Sequence, residues 1–446
     1  MIINSDNVKN QKHLDINEHV IGFAGLTHLG LNSAVASAAR GFQIVGYDNN
    51  STLVKQINEY NLDIKEPGLP ELLAKYKKNI SFSDDLEILA NCDIVYISTD
   101  VPTDNQGESD LSPIYDIINI VTSVMCSRAL LVILCQVPPG FTRGVKWPLK
   151  QLYYQVETLI FGRAVERARY PERYILGCAD PSQMVDERLY NYLKAFDCPI
   201  LPMRYESAEL AKISINMCLV AMISTANTLA EICENIGADW SEIVPALRLD
   251  KRIGQYSYLM PGLGISGGNL ERDMATVLQN SKRYKTDGGV ISSWVYNSQY
   301  RKEWAWKIFK NLHLDKKLSI KIGILGLTYK ENTNSIKNSP SLILLGHLIN
   351  HDVRVFDPAV GYEDIPSYVK LKKKATDTVK GVDVLAIMTA WPEFKDITVD
   401  FIVKNMRGRV IIDPYRILNY NQVKAAGLDY FSLGVTTDIK NTQEIF

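Results

Sequence analysis

Residues 20–48 read Val20-Ile21-Gly22-Phe23-Ala24-Gly25-Leu26-Thr27-His28-Leu29-Gly30, then a small apolar run to Arg40, Gly41, and Phe42-Gln43-Ile44-Val45-Gly46-Tyr47-Asp48. This is a strand, a glycine turn, a helix stopped by glycine, and a second strand ending in an acid. Further along, Asp93–Ser98 and Ala129–Leu134 are continuously apolar, as strands covered on both faces should be. Alternating strands and helices of this kind predict a parallel sheet with right-handed crossovers. A second unit opens at Lys321-Ile322-Gly323-Ile324-Leu325-Gly326-Leu327-Thr328, echoes the first, and leads to a strand ending at Asp357. The fold expected is α/β: two Rossmann-like, doubly wound parallel-sheet domains joined by a long helix.

That helix is the run from Tyr205 to Ile236, which contains neither Gly nor Pro and stops at Gly237. As one helix it would be about 48 Å long. From Ala208 to Ala226 it is apolar on nearly every side, which predicts burial against a second subunit and hence a homodimer. The domains expected are a polar tail over 1–19, a dinucleotide-binding domain over 20–203, a helical dimerisation core over 204–315, and a second Rossmann-like domain over 316–446.

Composition narrows the class. The 446 residues carry 49 Lys+Arg against 50 Asp+Glu, and 46% are hydrophobic. Charges that nearly cancel argue against a polybasic nucleic-acid or membrane surface. The polar first residues predict no signal peptide, and no apolar run approaching the roughly 18–20 residues of a membrane span is expected. Seven scattered cysteines without CxxC spacing suggest reduced thiols, a cytoplasmic setting and no metal site.

Several motifs carry candidate chemistry. Gly25-Leu26-Thr27-His28-Leu29-Gly30 is an imperfect GxGxxG, with Thr27 where a glycine would let the backbone approach a pyrophosphate. Asp48 is placed to bond a ribose 2′-hydroxyl, which favours NAD over NADP. An ordinary strand–helix turn with a surface acid would read the same way. Lys212 and Asn216 lie four apart on one helix face, with Glu209 three before the lysine. A lysine in so apolar a segment suggests an anion-binding site, although pairing with Glu209 would also explain it. The loop 261–269 is dense in glycine (Gly264, Gly267, Gly268) and could close backbone amides around a sugar or phosphate, or be a flexible linker. Val101-Pro102-Thr103 and Gln136-Val137-Pro138-Pro139-Gly140 follow strands at the sheet edge where such folds bind ligands.

Taken in order, these runs resemble the UDP-glucose/GDP-mannose dehydrogenase family over residues 20–434. The likeness includes Glu66-Pro67-Gly68-Leu69, Tyr170-Pro171-Glu172-Arg173, Ala208-Glu209-Leu210-Ala211-Lys212, Gly326-Leu327-Thr328-Tyr329-Lys330-Glu331-Asn332-Thr333 and Thr389-Ala390-Trp391-Pro392-Glu393-Phe394. The resemblance implies an N-terminal NAD-binding domain, a C-terminal domain holding a nucleotide sugar, and oxidation of the sugar's primary alcohol. It also implies roles: Lys212 and Asn216 stabilise the oxyanion, and Asp273 positions or deprotonates attacking groups. Glu172 assists near the sugar, Lys330 reaches the nucleotide sugar, and Lys337 reaches the cofactor phosphates.

The chain departs from the family pattern where the glycine loop should end in cysteine. Asn269 stands there, and an amide cannot form the acyl-enzyme. Cys135-Gln136 replaces the family's Ser-Thr. Three readings follow: an NAD-dependent nucleotide-sugar dehydrogenase with altered chemistry, such as a two-electron oxidation; a variant recruiting Cys135 as a displaced nucleophile; or a catalytically silent nucleotide-sugar and NAD-binding subunit with a regulatory role.

Overall fold

The computed structural model describes residues 19–62, 66–102, 104, 109–317 and 320–436. The chain forms two compact bodies that part within the central helix after Ile215. Thr103 lies outside the described residues.

The first body is built on eight strands: β1 (Val20–Ala24), β2 (Gln43–Tyr47), β3 (Ile80–Ser83), β4 (Ile94–Ile97), β5 (Leu130–Ile133), β6 (Leu152–Gln155), β7 (Tyr174–Cys178) and β8 (Ile200–Arg204). They pair in the order β3-β2-β1-β4-β5-β6-β7-β8. β1 is central, with Ile21 opposite both Ile44 and Ile94. Every residue of β4 and β5 is buried. Their unbroken apolar runs follow from helices covering both faces, as expected.

One expectation needs correcting: the sheet is mixed. β6 and β7 pair antiparallel, and β7 and β8 run together against the other six. The β6–β7 connection holds a helix of six residues, Ala164–Arg169. β7 enters from the end that β6 left.

The second body carries six strands: β9 (Lys321–Leu325), β10 (Asp352–Phe356), β11 (Lys370–Leu371), β12 (Val384–Ile387), β13 (Val410–Ile412) and β14 (Asp429–Phe431). Their order is β11-β10-β9-β12-β13-β14, all parallel. Helices Asn269–Tyr284, Gly289–Lys302 and Trp304–Asn311 precede this sheet.

The central helix runs Tyr205–Ile236, the bounds read from the sequence, and Gly237 takes the left-handed φ of +83° that ends it. The helix is long and apolar enough to cross a membrane, with a mean hydropathy of 1.5 over its most apolar stretch, which corrects the expectation that no run approaches a span. Its Glu209, Asn216 and Asn227 are buried polar groups with protein partners, and Ala208, Ile213, Val220, Ala226 and Ala230 pack into cores. That pattern belongs to the core helix of a folded protein. Burial on all sides is not what the single chain shows, because Leu210, Leu229, Ile232 and Ile236 remain exposed.

Candidate active site

The first body collects its candidate residues at the carboxyl ends of its parallel strands. Gly25 follows β1 with φ +99°, and a Cβ there would lie 2.7 Å from Thr99 N. A Cβ on Gly30 would lie 1.8 Å from Gly25 O, so the helix His28–Ala38 can approach the turn only with glycine. Thr27 has φ −69°, open to any residue, and the missing glycine costs the backbone nothing. Its hydroxyl is buried and has no protein partner. Asp48 is buried and accepts from Leu26 N at 2.8 Å and Asn50 N at 3.0 Å. This cradle fits a dinucleotide: a helix N-terminus, an orphaned hydroxyl beside it, and an acid at the end of β2. Leu29 sits half-buried in the same turn, and Val101 and Gln136 are half-buried beyond β4 and β5, with Pro102 exposed.

The buried Glu209 carboxylate accepts from Gly140 N and Thr142 N, at 2.5 and 2.8 Å, and so pins the Pro138-Pro139-Gly140 turn. Lys212 exerts its charge on Glu157, two residues beyond β6. Burial pushes the Glu157 carboxyl above its ordinary range, while the Thr158 amide, Lys212 and Arg167 pull it back. A half-buried acid with raised proton affinity, within the field of a lysine, is suited to proton transfer. Reading from the sequence passed over Glu157; its place just after an apolar strand, at the ligand edge, was the available signal.

The Glu172 side chain is 64% exposed and forms ion pairs with Arg167 and Arg173, ahead of β7. Cys135 is removed as a nucleophile: its thiol is fully buried, donates to Ile97 O at 3.1 Å, and is pushed up to about 12 by desolvation.

In the second body, Asn216 Nδ2 donates to Asp273 Oδ2 at 2.5 Å, and Asp273 is almost wholly buried. Arg272 Nε reaches the other carboxylate oxygen at 3.4 Å. Asn269, the first residue of the Asn269–Tyr284 helix, stands exposed. The glycine loop ahead of it is no flexible linker. A Cβ on Gly264 would come within 2.4 Å of Ser298 O, and one on Gly267 within 2.4 Å of the Tyr329 ring. Three of its amides are engaged within the protein. Ile265 N donates to Ser298 Oγ, Gly267 N to Lys337 O, and Gly268 N to Glu271 Oε2. The glycines serve close packing, and the Lys337 side chain lies against Gly268, 3.4 Å from where a Cβ would be. Lys330 Nζ lies 5.8 Å from the centre of the Tyr329 ring. Among the described residues, no cluster of three His, Cys, Asp or Glu could hold a metal ion.

Comparison with known proteins accords with these features. The sequence profile of the UDP-glucose/GDP-mannose dehydrogenase family matches in three parts: the NAD binding domain over residues 19–194, the central domain over 206–298 and the UDP binding domain over 323–420. UDP-glucose 6-dehydrogenase of Rickettsia typhi is 29% identical over 435 residues, 93% of this chain and 99% of that protein. UDP-glucose 6-dehydrogenase TuaD of Bacillus subtilis is 26% identical over 444 residues, 93% of each chain. A UDP-glucose dehydrogenase structure from Pyrobaculum islandicum superposes with a TM-score of 0.78 at 26% identity, covering 91% of this chain and 96% of that one. The cradle on the first sheet, the Asn216–Asp273 pair and these three matches in order lead to one assignment: the chain belongs to the UDP-glucose/GDP-mannose dehydrogenase family, and is by that membership an NAD-dependent nucleotide-sugar oxidoreductase.

Proposed function

We propose that the protein oxidises a UDP-sugar with NAD⁺ by hydride transfer alone, without covalent capture of the sugar, and stops at a two-electron product. The observation that carries this reading is Asn269 at the start of the Asn269–Tyr284 helix, where the family resemblance calls for a thiol. None of the seven free cysteines lies in that loop or helix. Bound NAD⁺ supplies the hydride acceptor. Lys212 holds the substrate oxygen as its proton leaves, and Glu157, whose proton affinity burial has raised, accepts that proton. Asn216 presents its amide to the same oxygen, oriented by Asp273. Loss of hydride from the carbon then leaves a carbonyl, and an amide at 269 offers no nucleophile to carry oxidation onward. Gly25, Thr27, Leu29, Gly30, Asp48 and Lys337 are assigned to the cofactor, and Lys330 to the nucleotide sugar.

The three-domain division, with boundaries near 204 and 316, belongs to the same proposal, as does a homodimer through the central helix. Leu210, Cys218, Leu229, Ile232 and Ile236 are exposed in the single chain and recur at spacings that align them along that helix. Free thiols throughout fit a cytoplasmic setting.

UDP-glucose and other UDP-sugars incubated with the protein and NAD⁺ should yield one NADH per sugar consumed, with no sugar adduct in the intact mass. Asn269→Cys should introduce both the adduct and a second NADH. Two NADH per sugar from the unaltered chain would refute the two-electron reading, and ligand binding without any NADH would favour the silent subunit.

A further inference from the structure

Glu271 is the third residue of the Asn269–Tyr284 helix and the meeting point of three elements. Its Oε2 accepts from Gly268 N at 3.2 Å, closing back on the start of its own helix. The same oxygen accepts from Asn338 Nδ2 at 2.9 Å, one residue beyond Lys337. Its Oε1 takes Lys302 Nζ at 2.9 Å, and that lysine is only 2% exposed. Two more bonds run alongside: Ser266 Oγ donates to Asn338 O at 2.8 Å, and Gly267 N donates to Lys337 O at 3.2 Å. One carboxylate thus sits where the glycine loop, the Lys337 segment and the end of the Gly289–Lys302 helix converge.

We infer that Glu271 is a positioning residue that holds Asn269 and Lys337 in a fixed mutual geometry. Asn269 begins the helix whose first turn Glu271 closes, and Lys337 neighbours the asparagine it grips. The buried Lys302 ammonium holds the Glu271 carboxylate turned inward, where both remaining contacts require an acceptor. Without it, the loop and the segment lose their common anchor, although each retains a fold. The inference rests on the proposed oxidation only for what the geometry is used for.

Three forms of the full-length protein decide it: wild type, Glu271→Gln, and the double variant Glu271→Ala with Lys302→Met. The double variant removes the buried charge together with its partner, so its melting temperature should stay near wild type. Amide exchange over 264–269 and over 335–339 should nevertheless accelerate together. The KM for NAD⁺ should rise about tenfold, more than kcat falls. Glu271→Gln keeps an acceptor for Gly268 N or Asn338 and should recover most of that loss. A double variant with wild-type exchange in the 335–339 segment, or with an unchanged KM at an unchanged melting temperature, overturns the inference. Should the wild type turn over no UDP-sugar, the functional reading fails while the exchange result still decides this one.

Discussion

The turn after β1 and the turn after β9 begin alike and end differently. Gly25 N donates to Tyr47 O and Gly326 N to Phe356 O, each at 2.8 Å. Asp48 receives Leu26 N at 2.8 Å, and Asp357 receives Leu327 N at 2.7 Å. Then they part. At the second turn, Thr328 turns N and Oγ1 to Asp357, and Trp391 Nε1 donates to both residues. At the first, the Thr27 hydroxyl has no protein partner, and the helix starts at the next residue. The second turn instead reaches its helix only at Pro340, and Ser341 Oγ bonds Gly326 O at 2.9 Å where Gly30 leaves no room for a Cβ. The same opening sequence is saturated in one body and left with an open donor in the other. Only the open one is built to take a pyrophosphate.

The sharpest way to break this contrast is Gly30→Ala. The added carbon meets Gly25 O at 1.8 Å, so the first body should lose about 3 kcal/mol or more and NAD⁺ binding with it. Ser341→Ala deletes one hydrogen bond and should cost about 1 kcal/mol, with NAD⁺ affinity unchanged. Equal losses in thermal denaturation and calorimetric titration would end the distinction.

Next comes the threonine pair. Thr328→Val leaves Trp391 Nε1 with Asp357 alone and takes the Oγ1 donor from that carboxylate, so it should lower stability by about 1 kcal/mol while leaving NAD⁺ affinity alone. Thr27→Val should do the reverse, weakening NAD⁺ about fivefold at an unchanged melting temperature. Were Thr27→Val instead to lower the melting temperature and spare binding, its hydroxyl would belong to the fold.

The smallest expected effect is one of slope. Burial raises the carboxyl of Glu157 in the first body and of Asp413 in the second. An acid raised on folding favours the folded state most below its unfolded value, and that contribution is lost as pH rises through the folded value. Glu157→Gln should therefore gain stability relative to wild type between pH 4.5 and 8, as followed by melting curves. Asp413→Asn should gain less, since Tyr430 Oη and Leu418 N already donate to the carboxylate and would lose that acceptor charge. A flat difference for Glu157→Gln would show that its burial carries no electrostatic load.

Much of this was legible beforehand because it is local. The central helix ends where Gly237 must, and the echo between 21–27 and 322–328 announces two sheets of one kind. A motif does not say whether its carboxylate is solvated: Glu172 stands exposed between two arginines. Glu157 was missed because an isolated Glu after a strand has no pattern to mark it. The direction of β7 has no mark in the local sequence and emerges only from its pairing with β6.

Periodicity, glycine placement and the identity of residue 269 are properties of the chain, and they alone determined the fold class, the dinucleotide turn and the absence of a thiol from the loop. Which carboxylate is desolvated, which amides are already spent and which lysine is gripped depend on groups distant in sequence. Burial and hydrogen-bond partnership arise only when distant segments pack, so the tertiary structure decided those.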